Sequence, residues 1–382
     1  MTAPKLRFKE FNTGYISTTF EKLKGFSIQS GKSEDKGDTG EFPFYGSTGV
    51  IGHKNIFDYE GKSILIARVG ANAGSLYQID GKYSVSDNTL RLTVSDNISL
   101  DYLRGLLIKF NLNRLVFGTG QPLVTGGMIK KVNIFIPEFI EQNKIASFLS
   151  AVDEKISQLT QKHQLLSQYK QGMMQKLFSQ QLRFKADDGS EFDEWNDIQL
   201  KDISHRITRK NKELNQNALT ISAQLGLINQ QEYFSKQIAS RDLSKYYLLH
   251  KGEYAYNKSY SAGYPMGAIK RLKLYDKGVV STLYICFSLN EYINSDYFEQ
   301  FVESGLLVPE LEKIAQEGAR NHGLLNISLQ EFFEVNLKMP SLDEQAKIAN
   351  FLSAIDQKIE IAAQQIEQAK QWKKGLLQQM FV

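Results

Sequence analysis

The segment EQNKIASFLSAVDEKI at residues 141–156 returns as EQAKIANFLSAIDQKI at 344–359, with twelve of sixteen positions identical and an offset of 203 residues. Both copies continue without an internal proline, and a stripe of residues steps through each by four and three alternately. In the first copy the stripe is Ile145, Leu149, Val152, Ile156, Leu159, His163, Leu166, Lys170, Met173 and Leu177. In the second it is Ile348, Leu352, Ile355, Ile359, Ala362, Ile366, Ala369, Lys373, Leu376 and Met380. Steps of four and three are a heptad seam, the pattern of helices that pack along their length. Helices over 141–179 and 344–382 would each run about 58 Å at 1.5 Å per residue, too long for the inside of a compact domain. Each rod needs a partner, and the nearest is the other copy. The expectation is a long antiparallel two-helix coiled coil; the competing arrangement packs the two helices separately on different domains.

Details of the two copies refine this picture. Pro137 and Pro340 stand just upstream, where the chain changes direction. Gly172 and Gly375 fall at equivalent positions near the helix ends and predict a close crossing, a bend or frayed last turns. His163 borders the seam. Asp153 and Glu154 recur as Asp356 and Gln357, so the second acid is not repeated, and the charges read as a solvated or pairing face.

A shorter echo places the rest of the chain. Leu6, Arg7, Phe8 and Lys9 return as Leu182, Arg183, Phe184 and Lys185 with an offset of 176, against 203 for the helices. The order is therefore variable region, helix, variable region, helix, with the second variable region 27 residues longer. The boundaries are 1–140, 141–179, 180–343 and 344–382. The N-terminal segment resembles a continuation of the C-terminal one, as in a closed pseudo-twofold object cut open once. The fold class is α+β, with two similar mixed α/β domains separated by the coiled coil.

Within the first variable region FPFYG, KSILIARVG, YSVSDNTLRLTV and KKVNIFIP read as strands and LDYLRGLLIKFNLNRLVF as one or two helices. EYAYNKSY, RLKLYD, GVVSTLYICFSL and FFEVNLKMP repeat that character in the second, with DYFEQFVESGLLVPELEKIAQEG as its helical part. Between them lie glycine-bounded polar loops: GSTGVIGHK with Lys54, ARVGANAGS with Arg68 and Asn72, GTGQ with Thr119 and Gln121, NKSYSAGYPMG with Lys258 and Tyr260, and GARNHG with Arg320, Asn321 and His322. Such loops offer backbone amides and cations to phosphates, and arginine or amide side chains to base edges. Any one of them is also an ordinary surface turn.

Much chemistry is excluded. No GxxxxGK[ST] loop is present, ARVGANAG lacks the GxGxxG spacing, and the five histidines are scattered without a metal-binding pattern. Cys286 is the single cysteine, so internal disulfides and multi-thiolate sites are ruled out, and its apolar run reads as a small buried hydrophobe. The net charge of +4 permits a polyanionic partner without demanding one. No stretch reaches membrane-spanning length, and a cytoplasmic protein is expected.

Pro137, Glu141-Gln142, Ile145, Leu149, Asp153 and Ile156, with the same set at Pro340, Glu344-Gln345, Ile348, Leu352, Asp356 and Ile359, resemble the helical regions of specificity subunits of type I restriction-modification enzymes. The LRF segments and their alternation with the helices extend the likeness over essentially the whole chain. The resemblance implies two target recognition domains reading the halves of an asymmetric bipartite DNA site, with the helices as spacer and docking surface. It implies a non-catalytic chain without a cofactor of its own. Two modification subunits would bind S-adenosylmethionine and methylate adenine; restriction subunits would add ATP- and Mg2+-dependent translocation and cleavage. On this reading Lys54, Arg68, Asn72, Thr119, Gln121, Lys258, Tyr260, Arg271, Arg320, Asn321 and His322 are the DNA-contact candidates. Competing readings are a coiled-coil scaffold with two protein-binding domains, a stand-alone DNA-binding protein, and a complete methyltransferase or nuclease, whose cofactor and catalytic motifs are not visible.

Overall fold

A computed structural model describes residues 3–32, 39–118, 122–234, 242–315 and 325–382. The chain divides into two compact units, Met1–Lys162 with Ala362–Val382, and His163–Ile361. Two long helices, Phe139–Phe178 and Leu342–Met380, each contribute to both units. Both begin two residues earlier than the repeat itself and end within two residues of the expected stops.

The first unit is built on a four-stranded antiparallel sheet in the order Ser27–Ser30, Thr89–Thr93, Ser63–Ala67, Leu76–Ile79. Its third strand, SILIA, is buried at every position, which explains an apolar run without alternation. A two-stranded ribbon, Ile16–Thr19 with Asn133–Ile136, leads into the first long helix. The helix Leu100–Phe110 starts on Ser99, whose hydroxyl accepts from the Tyr102 amide, and packs with the sheet and with Ile145, Leu149 and Val152 of the long helix in one core. Leu376, Leu377, Met380 and Phe381 complete that core from the other long helix. Gly105 has a packing role: a Cβ there would lie 2.7 Å from Cζ of Phe381.

The second unit repeats this frame. Its sheet runs Ser204–Arg206, Ile285–Leu289, Tyr254–Asn257, Ala268–Arg271. Its ribbon pairs Asn196–Gln199 with Asn336–Met339, and its helix Ser295–Glu303 starts on Asn294. Met174, Leu177 and Phe178 join Ile348, Ala349, Leu352 and Ile355 in the core. The differences lie outside the frame. The first unit adds a sheet ordered Gly49–Lys54, Phe42–Gly46, Lys82–Val85, Tyr59–Glu60. The second adds two ribbons, Leu219–Ser222 with Gly226–Asn229 and Tyr247–His250 with Lys277–Val280.

Three expected strands are corrected. YSVSDNTLRLTV divides at Ser86–Asn88 into strands of two different sheets, and GVVSTLYICFSL divides in the same way. RLKLYD contributes only Arg271 to a strand, because the pairing partner Tyr254–Asn257 ends the ladder there.

Both units are locked by the same contacts. Arg7 Nε donates to Glu141 Oε1 at 2.8 Å and its Nη2 to Oε2 at 2.7 Å, while Tyr15 donates to the same carboxylate at 3.1 Å. Arg183 grips Glu344 at 3.1 and 2.8 Å, with Trp195 Nε1 donating at 3.0 Å. Both carboxylates are fully buried. The hydrogen bonds hold both arginines above their ordinary pKa, and burial raises the Tyr15 phenol. Gln142 donates to the Pro137 carbonyl and accepts from the Ser99 amide; Gln345 does the same with Pro340 and Asn294. The Leu182 amide donates to Lys176 O at 3.0 Å, and the Leu6 amide donates to Gln379 O at 2.9 Å, the equivalent residue one repeat later.

The stripe residues explain themselves in this frame. None of the twenty is exposed, and the two lysine interruptions are ion-paired: Lys170 with Asp356 at 2.7 Å, and Lys373 with Asp153. The close crossing expected at Gly172 and Gly375 is corrected, since a Cβ at either meets no atom within 4 Å and both helices continue through them.

Two expectations follow. Arg183→Ala, which strands a buried carboxylate, should cost about 3–5 kcal/mol in urea denaturation, and Glu344→Gln combined with it should recover part of that loss. Gly172→Ala and Gly375→Ala should each stabilise by up to about 1 kcal/mol, read as a higher Tm, whereas Gly105→Ala should lower it.

Candidate nucleic-acid interface

In each unit the strand of the frame that is buried most deeply runs directly into a polar loop opened by a cation. Ser63–Ala67 is followed by Arg68, and Tyr254–Asn257 by Lys258. The backbone carbonyl of that cation is fixed in the same way in both: the Val124 amide donates to Arg68 O at 2.8 Å, and the Leu325 amide to Lys258 O at 2.9 Å. In the first unit Gly70 N also donates to Pro122 O at 2.9 Å, and Phe117 pairs with Leu123. Each loop therefore meets the segment that follows the second glycine-rich stretch, GTGQ in one unit and GARNHG in the other.

The candidate residues sort by this geometry. Arg68 and Asn72 share one loop; Asn72 is exposed, and Arg68 is half-buried with its Nη1 3.4 Å from the Asp87 carbonyl. The Arg68 Nε is buried and unpaired among the described residues. Lys258 and Tyr260 share the corresponding loop, with Lys258 Nζ donating to Ile327 O at 3.3 Å and Tyr260 64% exposed. Thr119, Gln121, Arg320, Asn321 and His322 lie outside the described residues.

Two candidates sit elsewhere. GSTGVIGHK is not a loop but the turn and second strand of a hairpin, and Lys54 ends that strand with its Nζ 4.6 Å from the Phe44 ring centre and 3.8 Å from Asp58. Arg271 pairs across from Tyr254, at the opposite end of the strands from Lys258, and its guanidinium is held by Asp296 and by Glu299 at 3.1 Å. The structure does not bring either together with the two loop pairs.

The loop after Lys258 is braced at its far end. Tyr264 donates to Glu303 Oε2 at 2.7 Å and accepts from Lys270 Nζ at 3.0 Å, and Lys270 also pairs with Glu303. Burial alone would pull the Lys270 ammonium down, but the Glu303 carboxylate outweighs it and the net shift is upward. Gly267 returns the chain with φ +74°, and a Cβ there would lie 2.2 Å from the Asn257 carbonyl oxygen. Among the described residues no group of three or more His, Cys, Asp and Glu could hold a metal ion, and no helix is long and apolar enough to cross a membrane.

Two α/β units built on one frame, differing in the strands and loops added to it, define a tandem-module protein. The chain belongs to the family described as the type I restriction modification DNA specificity domain, whose model matches residues 8–168 and 193–371. It is 25% identical over 128 residues to the type I restriction enzyme EcoprrI specificity subunit of Escherichia coli, covering 34% of this chain and 32% of that protein. It is 30% identical over 150 residues to the MjaVIII specificity subunit of Methanocaldococcus jannaschii, covering 37% and 35%. The matches thus span about a third of these curated relatives. The fold is shared with the S subunit of a type I restriction-modification system from M. genitalium, at 16% identity and a TM-score of 0.63, covering 100% of this chain and 99% of that one.

The brace on the second loop is directly testable. Glu303→Gln removes charge-assisted hydrogen bonds of about 1.5–3 kcal/mol, so amide exchange across residues 258–266 should quicken by about tenfold or more while the Tyr254–Asn257 strand stays protected.

Proposed function

We propose that this chain is the DNA sequence-recognition subunit of a type I restriction-modification complex, binding an asymmetric bipartite target in double-stranded DNA. The observation that carries this reading is the doubled family match together with the doubled loop pair, at Arg68 and Lys258, on one shared frame. Two copies of one frame with different loops suit a target whose halves differ; identical units would favour a palindrome. Arginine and amide side chains of the loops, Arg68 and Asn72 in one unit and Asn321 in the other, are suited to base edges, and lysines such as Lys258 to phosphates. Lys54 and Arg271, engaged with carboxylates, are the weaker members of the candidate set.

The domain reading assigns 1–140 and 180–343 as target recognition domains. The helices form the spacer between them. In the pairs Asp153 with Lys373 and Asp356 with Lys170 the two residue numbers add to the same total, as in an antiparallel coiled coil of one register. Such a rod fixes the distance between half-sites and offers docking faces to two modification subunits and to restriction subunits. The chain itself is non-catalytic. S-adenosylmethionine, ATP and Mg2+ are needed by those partners, and a target adenine leaves the stack to reach the modification subunit. The complex works in the cytoplasm, where host DNA is accessible.

The test is to express the chain with the modification subunit encoded beside it and map methylated adenines in host DNA. A bipartite motif should appear, and exchanging residues 10–140 for those of a relative should change one half of it only. Normal assembly with neither half altered would remove the recognition role.

A further inference from the structure

A cleft of ≈ 190 Å³ in the second unit is walled by Arg206, Tyr247, Lys258, Thr282 and Tyr284, with Cys286 on its floor. Its charged lining is two cations and no carboxylate. Among the described residues no carboxylate pairs with Arg206 or Lys258, in contrast to Arg209, Lys270 and Arg271, each of which holds a Glu or Asp. A third cation stands behind the wall, since Lys210 Nζ lies 4.3 Å from the Tyr247 ring centre. The floor adds no negative charge, because burial pushes the Cys286 thiol up to about 12.

The cleft lies where the strand Ser204–Arg206 ends beside the strand Ile285–Leu289, next to the loop opened by Lys258. Two cations line one cleft together with three hydroxyl-bearing residues, Thr282, Tyr247 and Tyr284, a composition that suits the donor demand of a tetrahedral oxyanion. The cleft is too small for a nucleotide to enter whole, and it adjoins residues suited to DNA.

We propose that this cleft seats one backbone phosphate of the bound DNA, with Arg206 as its principal donor, and so sets the register at which the Lys258 loop meets the bases. This rests on the reading of the chain as a DNA-recognition subunit. Arg206 was not singled out by sequence because it lies in no glycine loop; it belongs to a strand that enters the frame.

The experiment uses the chain assembled with its modification subunits and a duplex carrying the motif that the methylation mapping identifies. A series of duplexes replaces one phosphate at a time by a neutral methylphosphonate, and each is titrated against the native complex and against one bearing Arg206→Gln. The Arg206 side chain is exposed and makes no hydrogen bond or ion pair among the described residues, so the variant is expected to assemble. Its affinity should fall about fivefold to tenfold on target and non-target duplexes alike, with the slope of log K against log salt smaller by about one. One neutral linkage should weaken the native complex and leave the variant unaffected. If every linkage that weakens the native complex weakens the variant equally, the phosphate seat is overturned while DNA recognition stands. A changed base in the methylated motif would also overturn it, because Arg206 would then read sequence. A native complex with no bipartite motif removes the underlying reading, and the seat with it.

Discussion

Glu141 and Glu344 are carboxylates with no exposed surface, each at the start of a 40- or 39-residue helix, and each is met by an arginine from a segment more than a hundred residues away. A buried ion pair adds little stability compared with an apolar core of the same volume, yet an unpaired buried carboxylate is severely unfavourable. The pair therefore discriminates more than it stabilises. Only a segment bringing an arginine in the right register can close over the helix start, and the aromatic donors Tyr15 and Trp195 take the remaining acceptor capacity. Arg7 and Arg183 each also donate to a backbone carbonyl, Thr13 O and Asp193 O, at 2.6 Å. The lock thus ties down the chain just before the first strand of each ribbon, from which the rest of the unit is hung.

The consequence is a frame that closes without help from its variable parts. Glutamine holds the proline turn, the ribbon carries the chain into the helix, and lysine from one long helix answers aspartate on the other within each unit. One shared helix position is filled differently in the two units although its neighbours, Phe178 or Phe381 and Asp153 or Asp356, are the same. Gly105 lets Phe381 lie flat on its helix, whereas the helix of the second unit places Gln300 against Asp356, with Nε2 to Oδ2 at 2.7 Å. Apolar stripes set which face is buried, and the polar contacts set which of several similar faces meets which.

The helices were legible because periodicity and repetition act over 39 residues and no local alternative satisfies both. The LRFK echo was legible as a repeat but not as a lock: nothing adjacent to Arg7 or Arg183 identifies a partner 134 or 161 residues on. Two different offsets, 176 and 203, hide a pairing that becomes visible only when each arginine is matched to the glutamate that follows it. The same blindness explains Arg271, against which only the tertiary fold brings Asp296 and Glu299. Lys54 differs, because its partner Asp58 lies only four residues further along the chain. Splitting YSVSDNTLRLTV between two sheets needed the same long-range information, since its two halves have equal strand character.

The loops are the least readable part of this chain. Frame residues recur in both halves and so carry an internal comparison, while loop residues do not. Arg68 and Lys258 are the exception: different side chains share one backbone position because the carbonyl of each serves the frame. The main chain there is bound by the fold, while each side chain makes only one long hydrogen bond among the described residues, Arg68 to Asp87 O at 3.4 Å and Lys258 to Ile327 O at 3.3 Å. A fixed main chain lets one position carry arginine in one unit and lysine in the other without disturbing the sheet beneath, and it places the difference at the ends of the most deeply buried strands.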